Sequence, residues 1–457
     1  MKNWNRLFIR QGFMVQEQSR NVWICWEESE ENMSFLLESL RTLSIEYTFE
    51  HGILSILSPA VSEEAWLRCM GARYRGTGEW PWFHSGKEEP KIKEIDTYMS
   101  GMVRQLHRLG LPVIHCNGGR GRRRPVIEFA SWVDMEKASS VLQAAGLSKI
   151  LVRNRQINIS VSRDQLLNIT EKLNNVQKEW LNEEAASMKK QLFLHQLEQC
   201  LSINGESGNE DEIRQFVVEH LHPYVDVVAV DRTGNILAQK VCGTGQGPVI
   251  LLNAHLDTVD VIEKGREIIK EGAIWSSSKG ILGADDRAGI AVLLELAQRL
   301  HEFQFNGKVK FIFTVEEEIG LIGARSVDDY FLWDVDAAFV VDRRGTGDIV
   351  TSFAGYEPFC AESYGTFIEE TAKKQGLTGW KCTIGGSSDT RIWASHGIQS
   401  VNLSAGYHNE HTPSETLDTD ACYGTLQLLI GVFQEARELN RVIRRIKHRH
   451  RRVRPNM

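Results

Sequence analysis

No apolar stretch of this chain reaches the roughly 18 residues needed to span a membrane, so a membrane-spanning helix is not expected. The opening MKNWNRLFIRQGFMVQEQ breaks every apolar run with charged or polar residues. It has neither the apolar core nor the small-residue cleavage site of a secretory signal. Cysteines are few and scattered (Cys25, Cys69, Cys116, Cys200, Cys242, Cys360, Cys382, Cys422), without a CxxC pair. That spacing excludes a disulfide framework and a structural zinc knuckle. They read as reduced, mostly buried packing thiols of a cytoplasmic protein. Acid is missing from Arg441 to Arg454, which holds eight Lys or Arg, although the whole chain carries a net charge of -7. A basic tail on an acidic body could bind nucleic acid or an anionic surface. However, RVIRRIKHRHRRVR has too few apolar residues for a strong membrane-surface helix. The preferred reading is a solvated helix end, with neither a membrane nor a nucleic-acid partner expected.

The remaining composition, 42% apolar and 25% charged, is that of a soluble globular protein, and 457 residues suggest two or three domains. The first 190 residues contain a degenerate repeat at an offset of about 104 positions. VWICW, a helix near Asn32 to Leu43, the pair IEYTFE and GILSIL, and a helix from Glu63 to Met70 form one unit. VIEFAS, a helix from Met135 to Ala145, the pair KILVRN and INISVS, and a helix from Arg163 to Leu173 form the other. Alternating apolar residues mark the strands, and 3.6-type spacing marks the helices. Between the units, YRGTGEWPWFHSGKEEP reads as a linker and Ile95 to Leu109 as a helix. GGRGRRRP is either an anion-binding loop or an exposed hairpin turn with solvated arginines. A long helical stretch from about Asp164 to Leu201 is expected to join the two halves. The expected division is an α+β unit over 1–80, a linker and second α+β unit over 81–190, a catalytic domain over 191–440 and a basic tail over 441–457.

Beyond Leu192, strands alternate with helices, which argues for an α/β sandwich. Five segments there end in metal-binding residue types. PVILLNAHLDTVD reads as a buried parallel strand with His255 and Asp257 at its carboxyl end, where ligands bind in open α/β sheets. ILGADDRAGIAVLLELAQRL places Asp285 and Asp286 at a helix start, a position that a helix cap alone would explain. KVKFIFTVEEEIGLIGA ends a strand in Glu316, Glu317 and Glu318, which repel one another unless a cation or solvent intervenes. AAFVVDRRG ends in Asp342. SVNLSAGYHNEHTPSETLD leads into His408 and His411. Imidazole and carboxylate ligands of this kind suit zinc, with manganese or cobalt as substitutes.

The order HLD, GADDRAG, EEEIG, VVD and HTPSE resembles the co-catalytic two-zinc peptidases, a clan of aminopeptidases, peptidase T-like tripeptidases, glutamyl aminopeptidases and carboxypeptidase-type deacylases. SINGESGNEDEIRQF resembles the clan's opening helix and turn, and VDRTGNILA its first hairpin. The likeness covers about residues 192 to 437. It implies a mixed, largely parallel α/β sheet sandwiched by helices, with a separate α+β region before it. It also implies that Asp285 bridges two divalent metal ions. His255 and Asp342 would complete one site, and Glu318 and His411 the other, with His408 as the rival to His411. Glu317 would be the general base and acid, Asp257 would support His255, and GGSSDT with Asp389 would shape the pocket. A frame shifted by one residue would instead make Glu316 the base and Glu317 the ligand.

The chain departs from its relatives in the intervals between ligands. His255 to Asp285 spans roughly 30 positions and Asp342 to His411 roughly 69, so neither interval holds the lid or dimerisation domain of the larger relatives. The N-terminal half is expected to replace that lid over the site. Two metals can share a water, lower its pKa and polarise a carbonyl. The expected function is therefore a metal-dependent peptidase, an aminopeptidase or di/tripeptidase acting on short peptides. The alternatives are a deacylase of N-acyl amino acids and a non-catalytic protein that keeps the fold. The oligomeric state is not legible.

Overall fold

The computed structural model describes residues 3–72, 90–119, 124–147 and 150–453, with side chains omitted for 450–453. Most of the linker between the two α+β repeats, residues 120–123 of GGRGRRRP and the last four residues of the tail lie outside the described residues. The chain forms two compact units, Met1–Leu192 and Phe193–Met457. Among the described residues no helix is long and apolar enough to cross a membrane. All eight cysteines are unpaired, and six are buried.

The first unit contains two antiparallel four-stranded sheets. One comprises Gln16–Ser19, Val22–Ile24, Tyr47–Glu50 and Ile53–Ile56; the other comprises Val113–Asn117, Val126–Phe129, Ile150–Arg153 and Gln156–Ile159. In both, the fourth strand lies between the second and the third. Each sheet is accompanied by three helices in the same chain order. These are Trp4–Gln11, Glu30–Thr42 and Glu63–Ala72, then Ser100–Arg108, Met135–Ala144 and Arg163–Asn175. A strand and a helix thus precede each unit read from the sequence.

Two expectations are corrected here. The helix anticipated from Ile95 starts only at Ser100, because Asp96 accepts from the Tyr98 amide at 3.0 Å and forms a turn. The anticipated helix from Asp164 to Leu201 is two helices, Arg163–Asn175 and Ala185–Leu201, separated by a short 3-10 turn. Two asparagines and β-branched Val176 weaken the helix, and Val176 turns extended (φ -73°, ψ 132°).

The second unit is an α/β sandwich around a nine-stranded mixed sheet. Its centre is parallel: Gly307–Thr314, Val249–His255, Ala337–Arg343 and Gln399–Ser404 lie side by side. Antiparallel strands flank this centre on both sides. Successive side chains of a strand point to opposite faces, and Val249–His255 is buried on both. Ile250, Leu252 and Ala254 join the larger core with the helix Ala284–Arg299, while Val249 and Leu251 join a smaller one with Trp393. The parallel register brings His255, Thr314 and the end of Ala337–Arg343 to one edge.

The basic segment is not a solvated tail. The helix Ala436–Val453 sets Leu439, Val442, Ile443 and Ile446 into the main core. Their spacing of three and four residues forms one helix face, and Arg437, Arg441, Arg444, Arg445 and Arg449 are exposed. Lys447 pairs with Asp336.

Candidate metal centre

The site is assembled at the carboxyl edge of the parallel strands. Val249–His255 delivers His255, whose Nε2 lies 3.0 Å from Asp285 Oδ1 and 3.4 Å from Asp342 Oδ1. His255 Nδ1 faces Asp257, 3.0 Å from its carbonyl and 3.3 Å from Oδ1. Asp257 in turn accepts from the Glu317 amide at 2.9 Å, the Glu318 amide at 3.1 Å and Ser207 Oγ at 2.8 Å. One buried carboxylate therefore orients the imidazole and clamps the glutamate turn. Burial works against its charge, but the His255 bond and these donors hold Asp257 down at about 2.

Asp285 does not cap a helix. Gly283, in the left-handed region at φ +75°, makes the entry, and Asp285 and Asp286 both have non-helical backbone. The Asp285 amide and the Gly283 amide donate to Glu415 at 3.1 and 2.7 Å. The Asp285 carboxylate is free to point inward, with Oδ1 toward His255 and Oδ2 3.1 Å from His411 Nε2. Asp286 takes the capping role and accepts from the Gly289 amide at 2.9 Å. A Cβ at Gly289 would lie 2.1 Å from the Val341 carbonyl, so only glycine lets this helix meet the strand that carries Asp342.

Glu318 Oε1 is buried and lies 2.8 Å from His411 Nε2, yet it has no hydrogen-bond partner. Glu316 turns away at φ +51°, its amide bound to Glu210 at 3.2 Å. His408 is exposed and paired by backbone with Thr416. His411 itself is 44% exposed.

Two sets of side chains place ligand atoms within 4.8 Å of one another: His255, Asp286 and Asp342, and His255, Asp285 and Glu318. His411 stands outside both sets but touches Asp285 and Glu318. Burial and crowding push the carboxyls up, Glu317 to about 10 and Glu318 to about 7, and Asp342 in the same direction. Hydrogen bonding to Asp285 raises His411 to about 9 despite partial burial. Buried acids that repel one another, with an orphaned carboxylate oxygen among two imidazoles, fit a divalent cation.

Several supports carried no individual signal in the sequence. Tyr407 donates its hydroxyl to Asp342 Oδ1 at 3.0 Å, and Asn402 holds the Asp342 backbone at 2.9 Å on both sides. Arg287, fully buried, binds the carbonyls of Leu256 and Ile203. Glu415 was the most findable, as the acid that closes the HTPSE segment. Asp389 is buried and receives Thr314 Oγ1 and, at 3.4 Å, Asn253 Nδ2. It therefore fastens two strands that lead into the cluster.

Residues 235–430 match the sequence profile of Peptidase family M28. The YqjE protein of Bacillus subtilis is 23% identical over 53% of this chain and 98% of its own. A protein of Acetivibrio thermocellus, provisionally named as an aminopeptidase, is 24% identical over 51% of this chain and 96% of its own. Among solved structures, the aminopeptidase PepT of Bacillus cereus aligns with a TM-score of 0.49 and 19% identity, over 54% of this chain and 98% of that one. The profile match lies within the second unit, and the likeness to the co-catalytic zinc peptidases holds for that unit.

Proposed function

We propose that the second unit is an aminopeptidase or di/tripeptidase that cleaves short peptides beside a free amino terminus, using two zinc ions, with cobalt or manganese as possible substitutes. The observation that carries this reading is the Asp285 carboxylate, whose two oxygens face two imidazoles, with Asp342 on one side and Glu318 on the other. His255, Asp342 and Asp285 would hold one cation; His411, Glu318 and Asp285 the other. Asp286 suits a ligand less well, since its oxygens already accept from the His255 and Gly289 amides. The M28 profile and the provisional name of the Acetivibrio relative support a peptidase. Eight unpaired cysteines suit a reducing compartment, and we place the protein in the cytoplasm.

Two divalent cations held by these residues would lower the pKa of a bound water and polarise the scissile carbonyl. Glu317 is the proton carrier. Its amide is fixed by Asp257, and its carboxyl is raised by burial and by Asp342, Asp389 and Glu318. As a carboxylate, Glu317 would take the proton of the attacking water and pass it to the leaving nitrogen. Asp257 keeps His255 oriented, and Tyr407 keeps Asp342 in place.

The test is hydrolysis of Leu-Gly-Gly and Leu-p-nitroanilide, each with its N-acetyl counterpart, by protein loaded with zinc, cobalt or manganese. Cleavage of the free-amine substrates alone is expected. Cleavage of the N-acyl forms alone would make the protein a deacylase. No cleavage with any of the metals would overturn the reading.

A further inference from the structure

We infer that Arg344, held by Glu410, forms a carboxylate-binding subsite at the rim of the metal centre, taking a free carboxylate on the leaving-group side of the scissile bond. This rests on the peptidase reading above and narrows its substrate class.

Two loops that feed the cluster carry the pair. The strand Ala337–Arg343 delivers Asp342, and Arg344 lies two residues beyond that acid, just past the strand's end. The loop after Tyr407–His408 delivers His411, and Glu410 immediately precedes that histidine. Backbone bonds fasten the loops together: the Ala405 amide to the Arg343 carbonyl at 2.7 Å, Gly345 to Tyr407 at 2.7 Å and Gly406 to Gly345 at 3.1 Å. The rim is thus built from the same framework that places two of the proposed ligands.

The two neighbouring arginines differ. Arg343 turns to Asp348 at 3.2 Å. Arg344 reaches across, and its Nη1 meets Glu410 Oε1 at 2.9 Å. The Arg344 side chain is 60% exposed, whereas Glu410 is only 13% exposed. A largely buried carboxylate therefore fixes one corner of an exposed guanidinium. The guanidinium is a planar fork with five donors, so one that holds Glu410 through Nη1 can still take a second carboxylate. An isolated surface ion pair of this kind would be worth little; this one bridges the two loops at the site.

Charge decides what the fork is suited to hold. The cluster concentrates Asp257, Asp285, Asp286, Glu317, Glu318, Asp342 and Asp389 around two histidines. Those of them that are ionised disfavour a peptide's carboxylate beside the cluster. A fixed cation at the rim offsets that repulsion at one place and so selects substrates whose carboxylate reaches it. Such a carboxylate has two sources: the carboxyl terminus of a dipeptide, or an acidic side chain just beyond the scissile bond.

The experiment measures kcat/KM of the zinc-loaded full chain for Leu-Gly, Leu-Gly-amide and Leu-Glu-amide, with wild type, Arg344→Met and Arg344→Lys. For a single charge-assisted contact at a partly exposed site, the wild type should favour a carboxylate-bearing substrate over Leu-Gly-amide by roughly tenfold or more. Arg344→Met should erase that ratio, and Arg344→Lys should keep part of it. Preference for Leu-Gly alone assigns the terminal carboxylate; preference for Leu-Glu-amide assigns the side chain. Equal wild-type values for all three substrates, or an undiminished ratio in Arg344→Met, would overturn this inference and leave the peptidase reading standing. Absence of hydrolysis of all three by a wild type that also fails on Leu-Gly-Gly and Leu-p-nitroanilide would overturn both.

Discussion

Removing the basic segment should cripple the C-terminal unit, against what its charge suggests. A chain ending at Asn440 loses Val442, Ile443 and Ile446, all buried in the main core. Burying one such side chain is worth about 1.5–3 kcal/mol, so the three together contribute roughly 4–9 kcal/mol as an upper estimate. Lys447 is lost as well, leaving Asp336 without its cation; that acid also receives the Val249 amide at the start of the His255 strand. Whole domains are stable by only about 5–15 kcal/mol. Even half of the estimated loss should lower the midpoint by roughly 10 °C for a unit of this size. The assay is peptidase activity remaining after brief heating of the full chain and of the shortened chain, which reports the catalytic unit alone. Midpoints within about 2 °C of each other would refute the packing argument and restore the view of a solvated tail.

Glu317→Gln should lower kcat by about 10²–10⁴-fold, the usual contribution of general acid–base catalysis, with bound metal unchanged by elemental analysis. Glu318→Gln should lose metal, and Glu316→Gln should do neither; loss of metal from Glu317→Gln with retention in Glu318→Gln would favour the shifted frame. The metal-free protein should become less stable as pH rises from 6 to 9, followed by thermal unfolding. Glu318 and Glu317 are raised to about 7 and 10, so above their ordinary range the fold holds protons that the unfolded chain has released. His411, raised to about 9, acts in the same direction, since its contribution is lost as pH climbs toward that value. Saturating zinc should flatten the trend, and an equally steep slope with metal bound would contradict the placement of the cations.

The strand ends were legible because the central strands are buried on both faces and therefore read as unbroken apolar runs. VILLNAH ends at His255 and AAFVVD at Asp342, so each run points at a side chain of the cluster. The glutamate turn was legible as a place where charge must be compensated, but which glutamate does what depends on the φ of Glu316, which no residue spacing specifies. Glu415, Tyr407 and Arg287 reach their partners across 65 to 130 residues of chain or through buried carbonyls, and those contacts exist only once the sheet has formed. The break near Val176 is a local competition between helix and extended backbone that apolar periodicity does not register. The C-terminal helix was obscured by composition: four apolar residues at helical spacing outweigh the surrounding arginines once a core lies beneath them.

The most direct test of the central claim is a stepwise zinc titration of chelator-treated protein, with hydrolysis of Leu-p-nitroanilide measured at each step for the wild type and for Asp285→Ala. The expected result is negligible activity without metal and a rise that levels off near two zinc ions per chain. Asp285→Ala should give no comparable rise and poor retention of both ions, because a single carboxylate faces both imidazoles. Full activity in the chelated wild type, or an unaltered two-ion titration in Asp285→Ala, would contradict a shared two-metal centre.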